Sequence, residues 1–196
     1  MDYLYLTKSR VVDREALLAG EEVEMKVLVA KDSESTAIFA HAVMAKGYDE
    51  EGYAVTRNVE DIAWLGHTKM IVKSDNEPAI LKLLKDALKT ARVEITELEQ
   101  IQDEQAVKYD SKNNGDVEKA AKQVTKLLRT LKICLEKRVG KKIPTSHPLL
   151  TWLVEHSAWL LNTRAGGTSR NELARKKALA TSTSNMLVCT GVCICD

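Results

Sequence analysis

Apolar and polar positions repeat with two different periods along this chain, and each change of period marks an element. Asp2–Thr7 (DYLYLT) has the aromatic, alternating character of a short strand. Lys8–Glu22 is polar and reads as a loop or irregular insert. Met25–Ala30 (MKVLVA) and Thr36–Val43 (TAIFAHAV) read as two strands joined by a short polar turn, which makes an antiparallel hairpin the simplest pairing. Ala54–Leu65 places Val55, Val59, Ile62, Ala63 and Leu65 at helical spacing, with Gly66 as the stop. Met70–Val72 is an apolar run of the kind a buried strand shows. Pro78 then suits the first turn of a helix, and ILKLLKDALKTA carries Ile80, Leu81, Leu83, Leu84, Leu88 and Ala91. Val93–Leu98 alternates and predicts a fifth strand, and Glu99–Asn114 predicts a polar loop.

The last third changes to pure helical spacing. From about Asp116 to Arg138, Val117, Ala120, Ala121, Val124, Leu127, Leu128, Leu131, Cys134 and Leu135 gather on one side of a long helix. Lys119, Lys122, Lys126, Arg129 and Lys137 fall opposite, with Glu118 at the edge of that basic face. Pro148–Asn162 is a strongly apolar helix, and its Trp152 and Trp159 are expected in the core. Asn171–Ala180 is read as a short basic helix. The order β-β-β-α-β-α-β followed by α-α predicts an α/β fold with a mixed five-stranded sheet and helices on both faces. Residues 1–178 make one domain on this reading, and residues 179–196, rich in Ser, Thr and Cys, make a disordered tail.

Charge adds an asymmetry that the net value of +1 hides. Met1–Glu118 holds 15 Lys+Arg against 24 Asp+Glu, whereas Lys119–Asp196 holds 14 against 4. A basic second half points to a polyanion partner or to a solvated surface. No run of 18 apolar residues predicts a membrane span, and no partner role for a membrane is expected. Cys134, Cys189, Cys193 and Cys195 form no disulfide framework in a chain of this length, which favours an intracellular setting. The four histidines make no metal-binding spacing with them.

Candidate chemistry rests on three carboxylates. Asp2 opens the first strand, Asp75 lies where the Met70–Val72 strand gives way to a helix, and Glu118 lies in the first turn of the long helix. Asp75 taken alone has two readings, a helix cap or a ligand at a strand end. Three acids from these contexts can meet at one point, and their mutual repulsion would then call for a cation. Mg²⁺ or Mn²⁺ suits such hard oxygen donors.

Asp2-Tyr3, Lys73-Ser74-Asp75-Asn76-Glu77-Pro78 and Asn114-Gly115-Asp116-Val117-Glu118 together resemble the motifs of retroviral-type integrase catalytic cores, in the form carried by long-terminal-repeat retrotransposons. The resemblance spans roughly Asp2–Ala178. It implies a ribonuclease H-like fold and metal-dependent polynucleotidyl transfer: 3′-end processing of DNA, then strand transfer. Asp2, Asp75 and Glu118 would be the catalytic metal ligands, with Mg²⁺ or Mn²⁺ as cofactor. Lys122, Lys126 and Arg129 would contact DNA, the partner being element ends and target. A homo-oligomer acting on chromosomal DNA in the nucleus is also implied. A nucleic-acid-binding remnant without catalysis and a hydrolytic nuclease of the same fold are the rival readings. The 42 residues between Asp75 and Glu118 exceed the family's usual spacing, and no zinc-binding module precedes Asp2. The chain therefore reads as a fragment with a truncated first strand, and weak activity is expected of it.

Overall fold

Leu4 and Leu6 alternate with Tyr3 and Tyr5 along the first strand, and all four are buried, so this strand separates two cores. Leu4 and Leu6 belong to one cluster and Tyr3 and Tyr5 to another. The computed structural model describes residues 1–7, 11–13, 23–44, 46, 52–74, 77–105 and 115–164. Its elements are β1 (Asp2–Thr7), β2 (Val11–Asp13), β3 (Val23–Lys31), β4 (Ile38–Val43), α1 (Tyr53–Leu65), β5 (Lys69–Ser74), α2 (Pro78–Glu94), β6 (Gln100–Gln105), α3 (Gly115–Val139) and α4 (Pro148–Arg164).

The architecture is mixed α/β, with helices on both faces. The strands form a four-stranded antiparallel sheet in the order β2-β1-β3-β4 and a two-stranded parallel sheet of β5 and β6, in place of one five-stranded sheet. Val117, Ala120, Ala121, Val124 and Leu128 of α3, with Leu150, Leu153, Val154 and Ala158 of α4, pack against Leu4, Leu6, Val27 and Val29. On the opposite face, Ile80, Leu83 and Leu84 of α2 and Ala54 of α1 pack against Tyr3, Tyr5 and Leu28. Val59 and Ile62 of α1 meet Leu88 and Ala91 of α2 over Ile101 of β6.

Four sequence expectations are corrected. Part of the expected Lys8–Glu22 insert, Val11–Asp13, is a strand paired with Leu4–Leu6. The alternation of Val93–Leu98 is not a strand: α2 runs on to Glu94, Ile95 caps it, and the sixth strand follows in a segment expected to be loop. Burial explains this outcome, because Ile95 and Leu98 fill the third cluster as turn residues while β6 needs only Ile101 inside. The Met70–Val72 strand exists but is not buried on both sides, since Ile71 is 59% exposed. Trp152 is 56% exposed and stacks on His156 at 4.5 Å between ring centroids, so it does not enter the core. The expected helix over Asn171–Ala180 and the tail over 179–196 lie outside the described residues.

Local signals explain the helix ends. Gly66 closes α1 in the left-handed conformation, φ 65°, with its N–H on Ala63 and Ile62 carbonyls, a position that a side chain would strain. Pro78 stands at the start of α2 and Glu77 holds the N-cap position. The cap therefore falls two residues after Asp75, and Glu77 spends its carboxylate on Lys46 at 2.7 Å.

One side chain ties α4 to the outer edge of β4. The buried Asn162 amide accepts from Ile38 N–H at 2.8 Å and donates to Ile38 C=O at 2.8 Å. Removing it strands a buried donor and acceptor, each costing about 1–3 kcal/mol. Asn162→Ala is expected to destabilise the fold by about 2–4 kcal/mol, read as a lower urea midpoint with the slope unchanged. A midpoint equal to wild type would show that water replaces the amide at no cost.

Candidate metal centre and nucleic-acid face

The start of β1, the end of β5 and the first turn of α3 approach one another. The Met1 amine donates to the Lys73 carbonyl at 2.9 Å, a hydrogen bond between the start of the first sheet and the end of β5. Asp2 follows Met1 in β1, and its backbone pairs with Val29. Ser74, buried and last in β5, immediately precedes Asp75. The start of α3 is held by Val117, Ala120 and Ala121, which pack on the face carrying Leu4 and Leu6. A cavity of about 330 Å³ borders this meeting point, with Met1, Lys73, Asp116 and Val117 among its lining residues.

Glu118 is partly exposed in the first turn of α3, where negative charge also favours the helix N-terminus. Its neighbour Asp116 is exposed and lies 3.6 Å from Lys119. The side chain of Asp2 and all of Asp75 fall outside the described residues. Among the described residues, no group of three His, Cys, Asp or Glu side chains could hold a metal ion. Three carboxylates with no soft ligand, the set that Asp2, Asp75 and Glu118 would make, suit a hard divalent cation such as Mg²⁺ or Mn²⁺.

Lys122, Lys126 and Arg129 are exposed on α3, on the side away from Val117, Ala121, Val124 and Leu128. Lys119 and Lys137 are exposed as well. The basic stripe read from the sequence therefore lies on the solvent face of the helix, with Lys122 one turn after Glu118. Cys134 is exposed, and no helix among the described residues is long and apolar enough to cross a membrane.

A second polar constellation went unread in the sequence. His41 of β4 lies 2.8 Å from Asp61 of α1 and 3.4 Å from Glu155 of α4. Arg57 reaches the same Glu155 oxygen at 2.8 Å, and Tyr53 Oη donates to it at 3.3 Å. Burial alone would push the His41 imidazole down, but the bonds from Asp61 and Glu155 outweigh it and raise its pKa to about 9. Burial pushes the Asp61 carboxyl up against the pull of His41, while the bonds to His41 and Arg57 overcome burial at Glu155 and hold it down at about 2. Only the isolated position of His41 in an apolar strand hinted at a buried partner.

No protein-family model matches the chain. No curated protein sequence matches it either. Among solved structures it is similar to the catalytic core domain of BIV integrase in crystal form I, with 14% sequence identity, 83% of this chain and 90% of that chain covered, and a TM-score of 0.47.

Proposed function

We propose that this chain is a ribonuclease H-like catalytic core that performs metal-dependent polynucleotidyl transfer on DNA, of the type used in retrotransposon integration. The observation that carries the reading is the approach of three elements: β1 and β5 are joined at Met1 and Lys73, and the first turn of α3 borders the same cavity. Along the chain, Asp2 follows Met1, Asp75 follows the last residue of β5, and Glu118 follows Asp116 and Val117, the two α3 residues that line the cavity. On this reading the mixed sheet is the five-stranded integrase sheet drawn apart between β1 and β5, with β2 as an addition.

Asp2, Asp75 and Glu118 would hold Mg²⁺ or Mn²⁺, whose chemistry when bound is to stabilise the attacking and leaving oxygens of an in-line phosphoryl displacement. Lys122, Lys126 and Arg129 would hold the DNA backbone alongside, giving position without reading bases. Action in the nucleus and assembly into a homo-oligomer complete the proposal. The deciding experiment incubates the protein with labelled oligonucleotide ends, target duplex and Mn²⁺ or Mg²⁺. Joined products support transferase activity, cleavage alone supports a nuclease of the same fold, and neither, with DNA still bound, supports a non-catalytic binding protein.

The basic face has its own measurement. Each phosphate contact to duplex DNA contributes about 0.9 to the slope of log affinity against log salt. The double variant Lys122→Ala/Arg129→Ala is expected to flatten that slope by about 1.8, with the same loss on unrelated sequences. An unaltered slope would assign this face to solvent.

A further inference from the structure

One side chain reaches the sequence neighbours of two motif acids. Lys46 follows β4, and its Nζ lies 5.5 Å from the centre of the Tyr3 ring and 5.2 Å from that of Tyr5. Both tyrosines are buried, and two residues apart on one strand they face the same way, so the ammonium is attracted to two ring faces at once. The same Nζ donates to Glu77 Oε1 at 2.7 Å. The Lys46 and Glu77 side chains are only 31% and 15% exposed, so salt screens this pair less than it would a solvated surface pair.

The place of these partners in the chain decides what Lys46 holds. Tyr3 directly follows Asp2. Glu77 stands two residues after Asp75, and its C=O accepts the Leu81 N–H at 3.0 Å in the first turn of α2. Its side chain makes no capping bond to that turn, so the carboxylate is committed to Lys46 and not to the helix. On the other side of Asp75, Ser74 is buried at the end of β5. Asp75 thus belongs to a two-residue link between Ser74 and Glu77, and the Glu77 end of that link is tied through Lys46 to the strand that carries Asp2.

We propose that Lys46 is a positioning residue for the metal site: through Glu77 and the two tyrosines it sets where the Asp75 carboxylate stands relative to that of Asp2. The inference rests on the reading of Asp2, Asp75 and Glu118 as metal ligands. Lys46 touches neither metal nor DNA, and acts as the outer partners of metal ligands do, by fixing their orientation.

The test measures Mn²⁺ binding to the full chain by calorimetry, well below the melting temperature, for wild type, Lys46→Met, Asp75→Asn and Glu118→Gln. The sign of the change separates positioning from charge. Lys46→Met removes a positive charge near a cation site, which by electrostatics alone would tighten Mn²⁺ binding. Positioning gives the opposite result: binding weaker by about 10-fold or more. Lys46→Arg keeps a cation for both rings and for Glu77 and should restore most of the loss. Lys46→Gln keeps a stem and a donor amide, and it carries the same sign test if Lys46→Met does not fold. Affinity equal to wild type or tighter in these neutral variants, while Asp75→Asn and Glu118→Gln lose binding, would overturn the inference, whatever the melting temperature does. No Mn²⁺ binding by wild type, or binding unaltered in Asp75→Asn and Glu118→Gln, would overturn the three-acid site and this inference with it.

Discussion

Glu118→Gln is expected to lower metal-dependent joining of DNA ends by about 10²–10³-fold while leaving the melting temperature and salt-dependent DNA binding unaltered. The side chain lies in the first turn of α3 and is partly exposed, so its replacement by a neutral isostere breaks no packing. What it removes is one negative charge from a site proposed to hold a cation against phosphate. Folding is carried by the other side of the turn, where Val117, Ala120 and Ala121 are buried. Asp116→Asn is the paired comparison. Asp116 belongs to the same turn but points about 200° away around the helix; it lies 3.6 Å from Lys119 and, unlike Glu118, it lines the cavity. Its replacement should leave joining within about twofold, because an exposed pair of this kind is worth less than about 1 kcal/mol. Activity retained by Glu118→Gln and lost with Asp116→Asn would move the ligand by two residues. Activity retained by both would remove α3 from the metal site. The comparison is most informative with Mn²⁺ and Mg²⁺ tested separately, since Mg²⁺ demands stricter octahedral geometry and should suffer more from a lost ligand.

Helices with one consistent face were legible in the chain to within a few residues. The α3 pattern is an example: its apolar positions recur at 3.6-residue spacing across seven turns' worth of sequence, so no competing period fits. Strands β3 and β4 were equally plain, because both are apolar and flanked by a polar turn. The second sheet was misread because β6 spells QIQDEQ, with one buried residue, whereas the preceding VEITEL has the better alternation and is used to end a helix. Periodicity reports burial on one side of an element, and an edge strand with one apolar contact has little to report. The three motif acids were found by their local context, which says nothing of their separation; what the fold brings to one cavity is Met1, Lys73, Asp116 and Val117, their neighbours in sequence. His41, Asp61 and Glu155 were invisible for the same reason, since their partners lie 20 and 114 positions apart in sequence. Trp152 and Trp159 were assigned to the core because their helix is strongly apolar throughout, while the core side of α4 is filled by Leu150, Leu153, Val154 and Ala158.

A large and pH-dependent effect on stability is expected at His41. Among the described residues, the imidazole lies between a largely buried Asp61 and Glu155 in the middle of α4, while the Arg57 guanidinium serves Glu155 and Glu60. It therefore links β4 to α1 on one face and to α4 on the other. Removing one partner of a buried ion pair leaves the other charge uncompensated, at about 3–5 kcal/mol. His41→Ala is expected to cost about 3 kcal/mol, or roughly 6–12 °C in melting temperature for a domain of this size. Its pH dependence distinguishes this from simple loss of packing. The folded pKa of about 9 stands above the ordinary value of 6.5, so the folded state holds the His41 proton more tightly than the unfolded chain does. The resulting stability is fully present below about pH 6.5 and disappears as pH rises through 9. By the linkage relation this amounts to something on the order of 3 kcal/mol across that window. Facing groups do not mask it: Glu155 titrates near 2, and burial raises Tyr53 above its ordinary value of 10.0. Urea unfolding at pH 6 and pH 9.5 should show the wild type losing that amount and His41→Ala losing little. A wild-type stability flat over this range, with His41 titrating near 6.5 by NMR, would show that the imidazole is neutral in the fold and that Asp61 keeps its charge by other means.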